Sequence, residues 1–122
     1  MFQKRLMEQF GRAWEQGQAE VIADVFTEEA RFLPEPFKRS LGGRKAIVDY
    51  WKDIPKEQAE IAFWFGEIFV AGAWFSTEFK CTFRRRRTGE LMDVRGAIFC
   101  QTEEEKVSEM RVYWHRAHRR GV

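Results

Sequence analysis

The sequence predicts an α+β domain, residues 1–122, in which three N-terminal helices pack against a strongly curved, mainly antiparallel sheet. Three observations point there. The first half repeats its apolar residues at helical spacing, the second half alternates them at strand spacing, and the last third registers as two β-hairpins.

Phe2, Leu6, Phe10, Ala13 and Trp14 recur along one helical stripe, and Gly17 suits the end of that helix. Val21, Ile22, Val25 and Phe26 mark a second, shorter helix. A short strand, residues 30–33, stops at Pro34-Glu35-Pro36, and residues 37–43 form a loop punctuated by Gly42 and Gly43. A third helix begins near Arg44, buries Ile47, Tyr50, Trp51 and Ile54, and is expected to end at Pro55. Strand patterns then cover residues 59–70, 73–87, 90–102 and 106–118.

If Thr88-Gly89 is a two-residue loop, Phe83 faces Val94, Cys81 faces Gly96, Phe79 faces Ile98 and Thr77 faces Cys100. If residues 103–105 form a three-residue loop, Ile98 faces Met110, Gly96 faces Val112 and Val94 faces Trp114. Both pairings gather Phe75, Phe79, Cys81, Phe83, Val94, Ile98, Met110, Val112 and Trp114 on one face. A slip of one residue would mix that set with Lys80, Arg95 and Arg111, so the apolar face is expected to look toward the helices. The same register puts Arg84 opposite Asp93, Asp93 opposite His115 and Arg95 opposite Tyr113 on the outer face. An Asp93–His115 pair there is either a catalytic dyad or part of a salt-bridged face or dimer interface. Gly96, in the middle of its strand, marks a sharp bend of the sheet or the close approach of a ligand.

Nineteen aromatics, twelve of them Phe, exceed what the core of a 122-residue domain needs. The surplus implies an apolar cavity, an apolar subunit interface, or both. A net charge of +2 gives no reason to expect nucleic acid, and the arginines at 84–87 read as a solvated hairpin tip, near which an anionic ligand or partner is favoured over nucleic acid. No His/Cys spacing suggests a metal, no glycine-rich loop suggests a phosphate cofactor, and no cofactor is expected. Cys81 and Cys100 fall too far apart for a disulfide and read as small buried thiols. The N-terminus opens an amphipathic helix rather than a signal peptide, and the longest apolar stretch is interrupted by Gly66, Glu67 and Gly72. A cytoplasmic protein without membrane contact is therefore expected.

Four motifs carry a resemblance: Ala13-Trp14-Glu15-Gln16-Gly17, then Val25-Phe26-Thr27-Glu28-Glu29-Ala30-Arg31-Phe32, then Gly43-Arg44-Lys45-Ala46-Ile47-Val48-Asp49-Tyr50-Trp51, and finally Met110-Arg111-Val112-Tyr113-Trp114-His115. Their order and spacing resemble the nuclear-transport-factor-2-like superfamily, in its SnoaL-like branch. The resemblance implies a cone-shaped, cystatin-like roll that forms a homodimer, with Trp74, Arg95, Arg111 and Tyr113 on the sheet's outer face as its contact. It leaves function open, because this superfamily holds isomerases, dehydratases, epoxide hydrolases, cyclases and non-catalytic modules.

The best-known acid and base positions of those relatives are not kept. The tyrosine of ketosteroid-isomerase-like members falls on Phe10, their catalytic aspartate on Pro34, and the last-strand aspartate of limonene-epoxide-hydrolase-like members on Val112. Scytalone-dehydratase-like members need two pocket histidines, and here both, His115 and His118, lie near the C-terminus. Tyr50 as proton donor and Glu35 as base remain the catalytic candidates, against plainer readings as a buried aromatic and a loop carboxylate. Asp24 and Asp49 read as solvent-facing helix residues. The expected ligand is a small, mainly apolar organic molecule held by Trp14, Tyr50, Trp51, Phe79, Gly96, Val112 and Trp114. A cofactor-free isomerase, cyclase or hydratase-like step could follow binding. The alternative is a non-catalytic dimeric module whose aromatics fill the cone.

Overall fold

The computed structural model describes residues 1–117, and His118 lies outside them. Helix α1 spans Phe2–Gln16 and buries Leu6, Met7, Phe10, Gly11 and Ala13. Gly17 ends it at φ 68°, a left-handed turn that lets its N–H reach the carbonyls of Ala13 and Trp14. Helix α2 is only Ala19–Ala23. Phe26, expected on that helix, instead opens strand β1, Phe26–Leu33, which is longer than its sequence suggests. Arg44 explains part of the extension: its guanidinium donates to the Phe26 carbonyl at 2.6 Å and pairs with Glu28 at 3.2 Å.

The loop after β1 contains a two-residue strand, β2, Leu41–Gly42. Helix α3, Arg44–Glu57, runs past Pro55 instead of stopping there. Proline removes one donor, but the last turn closes through Gln58 N–H to the Ile54 carbonyl. Arg86 then satisfies the exposed carbonyls, through Nε to Pro55 and through its backbone N–H to Glu57. The expected strand at 59–70 divides into β3, Gln58–Phe65, and β4, Phe69–Ala71. Strands β5, Trp74–Arg85, β6, Leu91–Glu103, and β7, Lys106–Arg116, follow.

These strands form one unclosed mixed sheet in the order β2-β1-β7-β6-β5-β3, with β4 added on β5. All pairs but one are antiparallel; β1 runs parallel to β7. The curved sheet holds the helices on its inner face. Phe10, Phe26, Phe32, Phe75, Ile47, Ile98 and Met110 are fully buried between them.

Both hairpin registers differ from the expected ones by two residues. Phe83 pairs with Met92, Cys81 with Val94, Phe79 with Gly96, and Thr77 with Ile98, because the loop spans residues 86–89 rather than Thr88-Gly89 alone. In the second hairpin, Glu104 and Glu105 both adopt left-handed φ (51° and 62°), which makes a two-residue turn rather than the three-residue loop. A bulge between Gln101 and Thr102 then shifts the ladder, pairing Ile98 with Val112 and Gly96 with Trp114. A displacement of two preserves alternation, so the apolar set keeps its face: Phe75, Phe79, Cys81, Phe83, Val94, Ile98 and Met110 are all buried.

The outer-face pairs do change. His115 stands opposite Arg95 rather than Asp93, Asp93 stands opposite Thr82, and Tyr113 stands opposite Ala97. Asp93 is nonetheless only 2 % exposed and receives both a Nε and an Nη hydrogen bond from Arg95 at 3.1 Å. Arg95 is thus one partner of this carboxylate, and His115 does not stand across the ladder from it. Among the described residues no helix is long and apolar enough to cross a membrane.

Candidate functional site

Aromatic side chains from α1 and α3 converge over the inner sheet face. Trp14 meets Trp51 edge-on at 5.2 Å between ring centroids, Phe10 meets Trp51 at 5.4 Å, and Tyr50 meets Trp51 at 5.3 Å. Such edge-to-face pairs add about 0.5–1.5 kcal/mol each beyond burial, so the aromatic wall is rigid. It does not fill the cone. A cavity of about 160 Å³ remains between the helices and the sheet. An engineered apolar cavity of about 150 Å³ admits benzene, so the space suits a ligand of one small ring.

Trp14, Tyr50, Trp51, Phe79, Val112 and Trp114 all line this cavity. Gly96 does not. It borders a second, wider groove with Phe79, Arg95, Ala97, Tyr113, Trp114 and His115. A Cβ on Gly96 would sit 1.8 Å from the Tyr113 carbonyl oxygen and 2.7 Å from the Trp114 Cα. What approaches Gly96 closely is the backbone of β7.

Two indole N–H groups fix the cavity's edges. Trp114 Nε1 donates to the Pro34 carbonyl at 3.0 Å and thereby ties the exit of β1 to β7. That bond sets Glu35, the next residue, among the cavity-lining groups. Trp14 Nε1 donates to Gln58 Oε1 at 3.1 Å across the cavity's other flank. The buried Nε1 of Trp51 has no hydrogen-bond partner among the described residues.

Tyr50 and Glu35 therefore share one cavity, although they lie fifteen positions apart in sequence. Burial first, then the carboxylates of Glu35 and Glu57, pushes the Tyr50 hydroxyl up to about 12. A hydroxyl in that state stays protonated and can only donate or accept hydrogen bonds in the physiological range. Phe10 and Val112, where relatives keep acid–base groups, contribute only apolar surface to the lining. His115 lies on the exposed outer side.

Two polar lining residues, Gln58 and Arg85, were not singled out by the sequence. Strand parity carries the missing signal. Phe79, Cys81, Phe83 and Arg85 are alternate residues of β5, so Arg85 belongs to the inward set although it sits within an arginine run. Among the described residues no group of three or more His, Cys, Asp or Glu side chains is placed to hold a metal ion.

The two cysteines are buried and free. Burial, with Glu15 adding to it, pushes the Cys81 thiol from 9.0 up to about 12, and burial alone raises Cys100 still further. Tyr50 rises from 10.0 in the same direction. Groups whose folded-state pKa is raised stabilise the fold fully below their unfolded values and lose that contribution as pH rises through the folded ones. The urea midpoint should accordingly hold steady up to roughly pH 9 and fall between roughly pH 9 and 12. Both thiols should react with a chromogenic disulfide only once the chain is denatured. Rapid reaction of the native protein would contradict their burial.

The family model for the SnoaL-like domain matches residues 7–110. No curated protein sequence matches the chain. Among solved structures, a Bacillus subtilis protein provisionally described as an isomerase superposes with a TM-score of 0.82 at 20% identity, covering 91% of this chain and 84% of that one. SalBIII, an epoxide hydrolase/cyclase-like enzyme in pyran ring formation in salinomycin, gives 0.79 at 20% identity, covering 92% and 89%. A ketosteroid isomerase-like fold from Catenulispora acidiphila, crystallised with trimethylamine, gives 0.80 at 13% identity, covering 88% and 83%. At these identities the likeness concerns the fold.

Proposed function

The chain belongs to the SnoaL-like domain family, and from that premise we propose that its cavity binds a small, mainly apolar carbonyl compound and moves a proton on it without a cofactor. One observation carries the reading. Tyr50 and Glu35 line the same cavity, and after burial the Glu35 carboxylate acts most strongly on the Tyr50 hydroxyl. In this scheme the Glu35 carboxylate takes a proton from the carbon beside the carbonyl. The Tyr50 O–H donates a hydrogen bond to the oxygen on which negative charge builds. The proton then returns to the same skeleton at another carbon, as in an isomerisation, or the enolate carbon adds to a second carbonyl of the same molecule, whose oxygen takes the proton back from Glu35 as its C=O becomes C–OH, as in an aldol-type cyclisation. Similarity in fold to proteins described as isomerase or cyclase-like supports this class of step.

Incubation with small cyclic ketones and enones in deuterated buffer tests the reading. Faster loss of the proton signal beside the carbonyl than in buffer alone is the expected result. No acceleration across the panel would favour the rival reading, a non-catalytic module with a mostly filled cone. That rival has its own support: ligand pockets for drug-sized molecules usually measure about 300–1,000 Å³, well above the volume left here.

We propose further that the outer sheet face joins two copies of the chain. Trp64, Phe69, Phe99 and Tyr113 are large, exposed and apolar there, and Phe99 packs edge-on against Tyr113 at 5.8 Å. Trp74, Arg95 and Arg111 lie on the same side. Exposed aromatics with arginines among them are the composition of a protein interface. Light scattering should give a dimer for the native chain and half that mass for Phe99→Lys combined with Tyr113→Lys. A native monomer would overturn the assignment.

A further inference from the structure

We infer that Arg85 and Gln58 form an anion subsite, so that the molecule entering the cavity is a small ring bearing a carboxylate. The inference rests on the reading of the cavity as a substrate site, and adds the charge of what enters it.

Among the described residues that line the cavity, Arg85 is the only cation. Register places it directly opposite Gln58, where β5 and β3 pair. An indole N–H only donates, so the Gln58 atom that Trp14 meets at 3.1 Å must be the carbonyl Oε1. The amide nitrogen of Gln58 is then the remaining polar end, and no acceptor meets it among the described residues. The Arg85 guanidinium is similarly underused. Its contact with Glu90 is a 3.5 Å ion pair, too long to rank as a charge-assisted hydrogen bond. Glu90 is held instead by Arg116, at 2.8 Å through its other oxygen. The exposed Glu90 carboxyl is lowered first by Arg116, with Arg85 the last of its causes. Two donor groups on adjacent strands thus lack a strong acceptor at the border of an apolar cavity.

The sheet order sets the direction of binding. Glu35 follows β1, which lies beside β7, whereas Arg85 and Gln58 sit on β5 and β3. The anionic and cationic flanks of the cavity are therefore separated by β7 and β6. A carboxylate on the ligand is attracted to the Arg85 side and repelled from the Glu35 side, which orients the ring between them. The cavity accommodates one ring, and the carboxylate projects to the partly exposed guanidinium.

Benzoate and benzamide are close in size and shape and differ in charge, so they make the test. Their binding can be followed by intrinsic fluorescence, because Trp14, Trp51 and Trp114 all line the cavity. At neutral pH benzoate should bind about tenfold more tightly than benzamide, as a charge-assisted pair implies. Arg85→Met should bring benzoate to the level of benzamide and leave benzamide unchanged, while Arg85→Lys should retain part of the preference. Arg87→Met, on the same hairpin tip, should change neither. Equal affinity of the two probes, or a preference that survives Arg85→Met, would overturn the anion subsite while leaving the cavity as a binding site. Binding of neither probe would overturn both. A benzoate preference in a protein that exchanges no carbonyl-activated proton would uphold the subsite and remove only the catalytic reading.

Discussion

Gly96→Ala should destabilise the fold by roughly 3 kcal/mol or more, the upper range for overpacking a well-ordered interior. A methyl group there would stand 1.8 Å from the Tyr113 carbonyl oxygen and 2.7 Å from the Trp114 Cα. Both are backbone atoms, so no rotamer change relieves the overlap. Relief requires β7 to move away from β6 where Gly96 pairs with Trp114 and Ala97 with Tyr113. Those pairings also hold Trp114 in place, and through it the Pro34 carbonyl. The control is Gly66→Ala. Its Cβ would find only the Glu78 carbonyl oxygen, at 4.0 Å, so its effect should stay within about 1 kcal/mol. Urea denaturation of the two variants against the native chain measures both. A Gly96→Ala midpoint as close to native as that of Gly66→Ala would remove the steric account of Gly96.

The sheet was legible where its information is local. Alternation along β5, β6 and β7 identified the inward face without the correct loop lengths, because a shift of two residues changes partners and not faces. Turn conformation was less legible. Nothing in two successive glutamates announces that Glu104 and Glu105 both take left-handed φ, a geometry usually supplied by Asn and Gly. The full length of β1 was hidden for a different reason. Its partner is β7, about 80 residues later and parallel, and the exposed Glu28 and Glu29, which fall where the register between the two strands shifts, look like loop.

The candidate site divides along the same line. Trp14, Tyr50, Trp51, Phe79, Val112 and Trp114 meet around one cavity because each lies on an apolar stripe that must face the core. Arg85 lies on the same inward parity, but its neighbours in the run 84–87 disguised it as part of a solvated tip. Gly96 was set on the cavity floor by parity alone. A residue without a side chain has no direction to present, and the approach of β7 decides its role. The outer Asp93–His115 pair rested on the hairpin register, and the two-residue shift gives His115 to Arg95.

Glu35→Gln should lower turnover of any ketone or enone that the native protein processes by about 10²–10⁴-fold, the usual worth of a positioned general base. Tyr50→Phe should lower it by about 10²–10³-fold, the range for one lost hydrogen-bond donor to a developing oxyanion. Neither change should weaken binding of benzamide much, since both leave the aromatic wall and the cavity volume nearly intact. Loss of turnover with retained binding would separate chemistry from shape. The double variant should fall short of the product of the single effects, because a base without its oxyanion donor reaches the same poor transition state. The pH profile adds a second criterion. Tyr50 acts here in its protonated form, and its hydroxyl is pushed up to about 12. Turnover should therefore show no alkaline limb near the ordinary tyrosine value of about 10, and should decline only as the fold itself is lost. A Glu35→Gln protein that turns over substrate at the native rate would remove Glu35 as the base, and with it the reason to read this cavity as catalytic.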